Sequence, residues 1–503
     1  MSLRRAAAAG FTWTGLSSVG TTLVQFAQLA MLARLLAPDD FGLLAMVMVV
    51  LGFAQAFTDM GVSQAIVHRQ DATRDQLSSL YWLNVLAGVA VFVIVAAAAP
   101  LLARLFGDDR LRAPVMVAAC VFLITPWGQQ FQVLLERELR FRTLTAAEVS
   151  ASVLGALVAV TAAWQGRGVF ALVYGQLAGS AVRAGILCSV GWREWRPGLR
   201  FRWADVTGFV GFGVYQMLER CVNFASANVD KLLIGSLLGA GPLGFYNVAY
   251  QMMVRPFQVF NPVVTRVAFP VFARVQNDLP RLRAGYLEVL RVIALVIFPV
   301  YLGMAALAGP LFTTLMGDRW QPAVPIFQVL VTLGIIWSLG NPIGSLLWAR
   351  GRADLGLYMN LVAVATYAAA ITVGARWGVM GVAVAMCAGA ALVLFPLEFL
   401  VRWRIARFRP LEYLASFLPA LAAAVLMGAA VHGVSLAVAR FGRGAQLGAG
   451  TVAGVAVYAA LALWWQRPFL LRLREMVRGR RGVVPGAPGA FIGADPNASS
   501  VPA

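Results

Sequence analysis

One stretch, LYWLNVLAGVAVFVIVAAAAPLLA at residues 80–103, decides the fold class. It carries no charged residue and is long enough for a helix to cross the roughly 30 Å hydrocarbon core of a bilayer. Similar runs fill most of the 503-residue chain, which is 60% hydrophobic and only 13% charged. Soluble domains carry about 25% charged residues, so this composition excludes a soluble enzyme, a disordered protein and a secreted disulfide scaffold. The sequence predicts an all-α polytopic membrane protein.

The hydropathy pattern predicts about fourteen transmembrane helices, a number taken from apolar runs of about 20 residues. The predicted spans lie near residues 10–36, 42–64, 80–103, 113–135, 145–165, 168–190, 207–236, 243–266, 284–308, 322–347, 355–375, 378–401, 411–438 and 444–466. Turn-forming or charged residues mark the joins at 37–40, 107–109, 165–168, 239–242 and 317–319.

The charge distribution predicts the orientation of these spans. The chain has 41 basic and 22 acidic residues, a net charge of +19. In a soluble chain this excess would suggest nucleic acid, but no nucleic-acid partner is expected here, because most basic residues fall in every second loop. Those loops are predicted to be cytoplasmic, which places both termini in the cytoplasm of a bacterial cell. Arg402 is assigned to such a loop and Glu398 to a span end, where charge costs little.

Two stretches, LLAPDDFG at 35–42 and LLGAGPLG at 237–244, resemble one another and are separated by six spans. An even separation gives both copies the same orientation, as in a parallel transporter repeat. We therefore predict an N-terminal lobe at 1–200 and a C-terminal lobe at 201–405, each a six-helix pseudo-repeat. Two further helices follow at 406–470, and residues 471–503 form a tail that is basic and then disordered.

The sequence lacks the motifs of several kinds of chemistry. Its four cysteines show no CxxC spacing and it has only two histidines, so no metal site is expected. No nucleotide-binding or hydrolase motif occurs, and the loops are too short to hold a soluble domain. No cofactor is expected, and transport is either passive or coupled to a gradient of H⁺ or Na⁺.

Polar side chains inside the spans are the candidate functional residues, because a charge at a helix centre costs about 2.5–3.5 kcal/mol on insertion scales. The seventh span carries most of them and the eighth span adds more at helical spacing. The candidates for substrate binding are Arg220, Arg255, Lys231, Arg266, Asn223, Gln251, Gln258 and Gln25. The candidates for a coupling-ion or gating role are Asp230, Glu219 and Asp59.

Depth along the two spans, at about 1.5 Å per residue, orders the cations into a ladder across the membrane. Lys231 lies near the outer face, Arg255 and Arg220 deeper, and Arg266 close to the cytoplasm. Such a ladder would suit an anionic headgroup, since Arg binds phosphate through paired hydrogen bonds. Structural ion pairs and interfacial snorkelling are the alternative interpretations of these charges.

The segments DKLLIG at 230–235, LGFYNVAY at 243–250 and VAFPVFARVQ at 267–276 carry a family resemblance, to which Arg255-Pro256 adds. With LLAP at 35–38, they resemble the Wzx-type polysaccharide flippases of the multidrug, oligosaccharidyl-lipid and polysaccharide exporter superfamily. The resemblance implies twelve to fourteen helices in two lobes around a central cavity. It also implies flipping of undecaprenyl-diphosphate-linked oligosaccharide to the outer leaflet of the plasma membrane by alternating access.

Three alternatives remain at this point. A peptidoglycan lipid-precursor flippase shares the architecture and the charge sign. An ion-coupled multidrug antiporter of the same superfamily should have an acidic cavity, whereas the seventh and eighth spans carry more Arg and Lys than Asp and Glu. A glycan polymerase or ligase would need a large outer loop, so no enzymatic activity is expected. The expected partners are lipid-linked oligosaccharide and membrane lipid, for a monomer that works near polysaccharide polymerase components.

Overall fold

The structure, a computed structural model, describes residues 20–59, 73–199, 201–467, 469 and 471. Within these residues the chain is helical, with no β-strand. The predicted all-α fold is therefore confirmed. The tail predicted to be disordered lies, apart from Leu471, outside the described residues, as does the start of the first predicted span.

Fourteen long helical segments, continuous or interrupted, follow one another in the described ranges, and each overlaps one predicted span. They are α1 (20–35), α2 (Pro38–Asp59), α3 (Arg74–Phe106), α4 (Arg112–Ala119 and Val121–Arg137), α5 (Phe141–Trp164), α6 (Val169–Glu194), α7 (Trp203–Leu238), α8 (Ala240–Arg274), α9 (Leu279–Ala306), α10 (Ala323–Gly340 and Pro342–Ala349), α11 (Ala353–Gly374), α12 (Gly378–Gly389 and Phe395–Ala406, joined by a π-helix at Ala390–Leu394), α13 (Pro410–Ala437) and α14 (Arg443–Trp465). A short helix, Ala308–Met316, follows α9.

Ten candidate membrane spans meet the requirements of length and apolarity among the described residues. One of them, Asp354–Ala406, contains both α11 and α12. Helices α7 and α8 are 36 and 35 residues long but are not among the ten, because their polar side chains lower the hydropathy. The chain is a multi-pass membrane protein, and the number of about fourteen spans stays a prediction.

Helix ends coincide with the predicted joins because turn residues there terminate the backbone pattern. Gly107, with a φ of 67°, ends α3 in the left-handed conformation, and its N–H donates to the carbonyls of Ala103 and Arg104. At the other end of α3, Thr73 and Gln76 form a capping box, each side chain accepting from the other residue's backbone N–H. These caps fix the first and last residues of α3.

The chain divides into two compact units. The first comprises Met1–Val248, Leu315–Pro322 and Ala375–Val379, and the second comprises Ala249–Thr314, Ala323–Gly374 and Met380–Ala503. This division follows the compactness of the backbone and falls within α8. The lobe boundaries at residues 200 and 405, which rest on the internal repeat, stay predictions.

Within the first unit, the two repeated stretches contact one another reciprocally. A Cβ on Gly42 would lie 1.8 Å from the carbonyl oxygen of Ala240, and a Cβ on Gly244 would lie 1.9 Å from that of Pro38. Gly42 aligns with Gly244 in the repeat, and Pro38 aligns with Ala240. Each glycine therefore admits the backbone of the other copy, as expected of two elements related by a two-fold axis.

A buried tryptophan covers this corner of the first unit. The indole Nε1 of Trp320 donates to the carbonyl of Ala33 at 2.7 Å, and the side chain is fully buried. Its ring meets Phe41 and Phe245 edge to face, with centroid distances of 5.1 and 5.9 Å. The segment 315–322 thus packs onto the starts of both α2 and α8.

Candidate functional site

The polar stripe of α7 lies in the first unit and changes in exposure along the helix. Glu219 and Asn223 are exposed, Arg220 and Lys231 are half-buried, and Asp230 is buried, with 5% of its surface accessible. The sequence correctly predicts that these residues share a helix. It did not predict that the acidic residue nearest the α7–α8 join would be the buried one.

Asp230 is held by the helix that follows it. The hydroxyl of Tyr246 donates to Asp230 Oδ2 at 2.9 Å. The other carboxylate oxygen, Oδ1, is buried and has no hydrogen-bond partner among the described residues. A buried oxygen of this kind can accept a proton or contact a cation, which is the chemistry expected of a coupling or gating carboxylate.

Lys231 is oriented by its own helix, since its Nζ donates to Asn228 Oδ1 at 2.7 Å. The Asn228 amide in turn donates to the carbonyl of Phe224 at 3.0 Å. The ammonium group is therefore held one helical turn from its own Cα position, on the face of α7 that carries Asn228.

The candidates on α8 belong to the second unit, in which Gln251 and Arg255 are half-buried and Gln258 is exposed. Backbone anchoring fixes this part of α8, because the buried Tyr301 hydroxyl of α9 donates to the carbonyl of Met253 at 2.9 Å. Trp337 of α10 packs edge to face on Tyr250 and Phe257, on either side of Arg255. The helical turn that carries Arg255 is thus held rigidly.

The other candidates are less informative. Gln25 is exposed on α1. Asp59 is the last residue of α2 and Arg266 lies within α8, but the side chains of both fall outside the described part of the structure. The cationic ladder that would join α7 to α8 stays a prediction, since its members are divided between the two units.

Sequence reasoning placed Arg402 wrongly, although it placed Glu398 in the correct helix. Both lie in α12, where Arg402 is fully buried rather than in a loop. Its Nε donates to the Tyr286 hydroxyl at 2.8 Å and its Nη2 donates to Glu398 Oε2 at 2.6 Å. Its guanidinium also lies 5.2 Å from the centre of the Tyr413 ring. The signal that could have found this set is the Glu-to-Arg spacing of four residues on one helix.

No cluster of three or more His, Cys, Asp or Glu side chains able to hold a metal ion occurs in the described ranges. The four cysteines, one of which lies at the break in α4 and the others in α6, α7 and α12, form no disulfide. The candidate functional groups of the described residues are therefore ion pairs, amides and phenols on the membrane helices.

Long apolar helices with charged residues set into them are typical of membrane transporters. Residues 31–325 match the family model described as "Polysaccharide biosynthesis protein". The chain belongs to this family, and its resemblance to the Wzx-type polysaccharide flippases is confirmed.

Curated relatives cover most of the chain. It is 34% identical to the teichuronic acid biosynthesis protein TuaB of Bacillus subtilis (strain 168), over 87% of this chain and 91% of that protein. It is 32% identical to the lipopolysaccharide biosynthesis protein WzxC of Escherichia coli (strain K12), over 76% of this chain and 78% of that protein. The succinoglycan biosynthesis transport protein ExoT of Rhizobium meliloti (strain 1021) is 27% identical over 93% of this chain and 95% of its own length.

Two solved structures share the fold. The lipid II flippase MurJ, in an inward closed conformation, matches with a TM-score of 0.71 at 12% identity, covering 90% of this chain and 99% of that chain. An inward-facing multidrug resistance transporter of the MATE family matches with a TM-score of 0.58 at 15% identity, covering 76% of this chain and 95% of that chain. At these identities the likeness concerns the fold alone.

Proposed function

We propose that this protein flips undecaprenyl-diphosphate-linked oligosaccharide from the cytoplasmic to the outer leaflet of the bacterial plasma membrane by alternating access. The single observation that carries this proposal is the family match at 31–325. Relatives named for teichuronic acid, lipopolysaccharide and succinoglycan biosynthesis agree with it. The product would supply the export of a surface polysaccharide. Both termini would lie in the cytoplasm, as the distribution of basic residues predicts.

The cations of α7 and α8 supply the affinity for an anionic headgroup in this proposal. Arg220, Lys231, Arg255 and Arg266 attract the diphosphate in succession, so that no single position holds it too tightly. The anchoring of the α8 backbone by Tyr301 supports this role for Arg255, because the helical turn that carries the guanidinium keeps its position. The remaining candidates, which line a hydrated path for the glycan, are Asn223, Gln251, Gln258 and Gln25.

The carboxylates supply the coupling. Asp230, whose buried Oδ1 has no hydrogen-bond partner among the described residues, takes up H⁺ or Na⁺ in this proposal. Glu219 and Asp59 would act in gating or in a second coupling step. No cofactor takes part, and the protein performs no enzymatic reaction on the glycan. It would work as a monomer next to the components that polymerise the polysaccharide.

A deletion in the source bacterium tests the proposal through the leaflet in which lipid-linked oligosaccharide accumulates. Accumulation in the inner leaflet is expected, and the wild-type gene should restore export. Arg255→Ala should fail to restore it at normal protein abundance, whereas Arg440→Ala, at an exposed turn between α13 and α14, should restore it fully. Accumulation in the outer leaflet would overturn the proposal, since it would point to polymerisation or ligation. Cell death on depletion would instead favour a peptidoglycan precursor as the cargo.

A further inference from the structure

An apolar groove of about 540 Å³ lies between α2, α3 and α7 in the first unit. Its volume is within the range of about 300–1,000 Å³ that is typical of small-molecule sites. Aromatic and aliphatic side chains form its wall, with Asn228 of α7 as the one amide among them. The groove is therefore built for hydrocarbon, with a single polar point.

A missing side chain shapes this groove. A Cβ on Gly52 of α2 would lie 2.1 Å from the tip of the Phe224 ring of α7. Because residue 52 is glycine, the tip of the Phe224 ring can approach the backbone of α2, and the ring forms part of the wall of the groove. Any larger residue at position 52 would displace the ring, so the shape of the groove depends on glycine at this position.

The groove opens where lipid would be. Ile94 and Leu105 of α3 line it and expose 64% and 60% of their surfaces, and both lie within a candidate membrane span. Large apolar side chains that are exposed within a membrane span face the hydrocarbon core rather than water. The natural occupant of such a groove is therefore a hydrocarbon chain and not a soluble ligand.

A positive charge, the ammonium group of Lys231, lies next to the one amide of the groove. Asn228 lines the groove, and Lys231 Nζ lies 2.7 Å from the oxygen of its amide. An ammonium group one hydrogen bond away from an apolar cleft matches an amphiphile that joins a hydrocarbon chain to a phosphate.

We propose that this groove binds the polyprenyl chain of the lipid-linked oligosaccharide, with the diphosphate placed at Lys231 and Asn228. This inference rests on the proposed function and adds a site for the lipid portion of the cargo. The groove would keep the chain in the bilayer beside α7 while the headgroup moves along the polar stripe. The chain and the headgroup would then be recognised by adjacent residues of one helix.

Filling the groove tests this inference with undecaprenyl phosphate as the probe, titrated against the full-length protein in nanodiscs. Ala98 lines the groove on α3, while the neighbouring Ala97 is exposed and does not line it. Ala98→Phe should weaken undecaprenyl phosphate binding about tenfold, because the new ring occupies the space of the chain. Ala97→Phe, the matched control, should bind as the wild type does.

A second pair of variants guards against misfolding of the first. On α7, Ala225 lines the groove and Ala227 is exposed outside it, so Ala225→Phe and Ala227→Phe should differ in the same way. Equal binding within both pairs, or equal affinity of the wild type for dioleoylphosphatidylglycerol, would overturn the inference.

The inference and the proposed function can fail separately. Vesicles containing the wild-type protein measure translocation of lipid-linked oligosaccharide independently of probe binding. Translocation by a wild type that binds undecaprenyl phosphate no better than its groove-filled variants would refute the groove alone. Tight and groove-dependent binding without any translocation would support the groove and refute the proposed function.

Discussion

A glutamate and an arginine lie close together on α7 (Glu219 and Arg220) and again on α12 (Glu398 and Arg402). The two pairs have the same residue types but differ in burial. Glu219 is exposed and Arg220 half-buried, whereas Arg402 is fully buried. The buried guanidinium bonds to Glu398 four residues away and to a tyrosine hydroxyl 116 positions away. The pair on α12 ties one helix to another, whereas Glu219 and Arg220 are more accessible than Arg402.

From this difference we expect the buried charges to contribute to stability and the more accessible charges to contribute to transport. Removing one partner of a buried pair leaves the other charge in a medium of low dielectric, and this costs more than the pair itself contributes. Removing an exposed charge costs little because solvent and long side chains readjust. We therefore expect substitutions on α12 to change stability and substitutions on α7 and α8 to change transport.

The largest expected effect is that of Arg402→Ala. The substitution leaves the Glu398 carboxylate without its guanidinium and opens a void beside Tyr286 and Tyr413. We expect the free energy of unfolding to fall by about 3–5 kcal/mol, measured by thermal unfolding in detergent. Arg440→Ala, which removes an exposed cation above the Phe441 ring, is the control and should unfold close to the wild type. Equal unfolding temperatures of the two variants would remove the distinction drawn for α12.

The next largest expected effect on stability is that of Gly244→Ala, at the close contact between the starts of α2 and α8. Gly244→Ala would put a methyl group 1.9 Å from the carbonyl oxygen of Pro38, so the two helices must separate. We expect a loss of about 1–3 kcal/mol in the free energy of unfolding, as for other overpacked sites. Gly433→Ala in α13, where a Cβ meets nothing within 4 Å, should leave stability unchanged or slightly raised. A tolerated Gly244→Ala would contradict the reciprocal contact of the repeat.

A smaller effect on stability, with a large effect on transport, is expected for Arg220→Gln. The variant should lower the free energy of unfolding by about 1 kcal/mol or less, because the side chain is only half-buried. Export of polysaccharide should nevertheless fall about tenfold, since one step of the cationic path is lost. Normal export by a well-folded variant would remove Arg220 from the proposed path.

The smallest effect is a pH dependence at the turn between α3 and α4. The Arg110 guanidinium hydrogen-bonds to Asp108 and holds the pKa of that carboxyl below its usual range. Because the folded-state pKa is lowered, the stabilisation is complete above the ordinary aspartate pKa of about 3.9 and is lost as the pH falls through the folded value. The difference in unfolding temperature between the wild type and Asp108→Asn should therefore be present at pH 7 and shrink below about pH 4. A difference that stays constant down to acid pH would contradict this assignment.

Much of the fold could be predicted because membrane helices are specified by local composition. Apolar runs such as residues 80–103 mark the spans, and residues such as Gly107 mark their ends. The repeat was also visible, since Gly42 and Gly244 occupy equivalent positions in two short copies. The structure adds that the two copies contact one another directly.

Burial could not be predicted, because it depends on residues that are distant in the sequence. Helical spacing indicates which side chains share a face, but Arg402 is buried by Tyr286, which lies on another helix. The same reason explains why the groove was not foreseen, since it needs α2, α3 and α7 to lie side by side. A single helix shows the polarity of a surface and not its neighbours.

The most direct test of the proposed function is translocation by the purified protein in vesicles that contain lipid-linked oligosaccharide. We predict that the wild type exposes the glycan on the opposite leaflet and that Arg402→Lys does so when it is folded. We predict that Arg255→Ala does not, although its unfolding temperature is close to that of the wild type. Translocation by Arg255→Ala at the wild-type rate, or no translocation by the wild type, would contradict it.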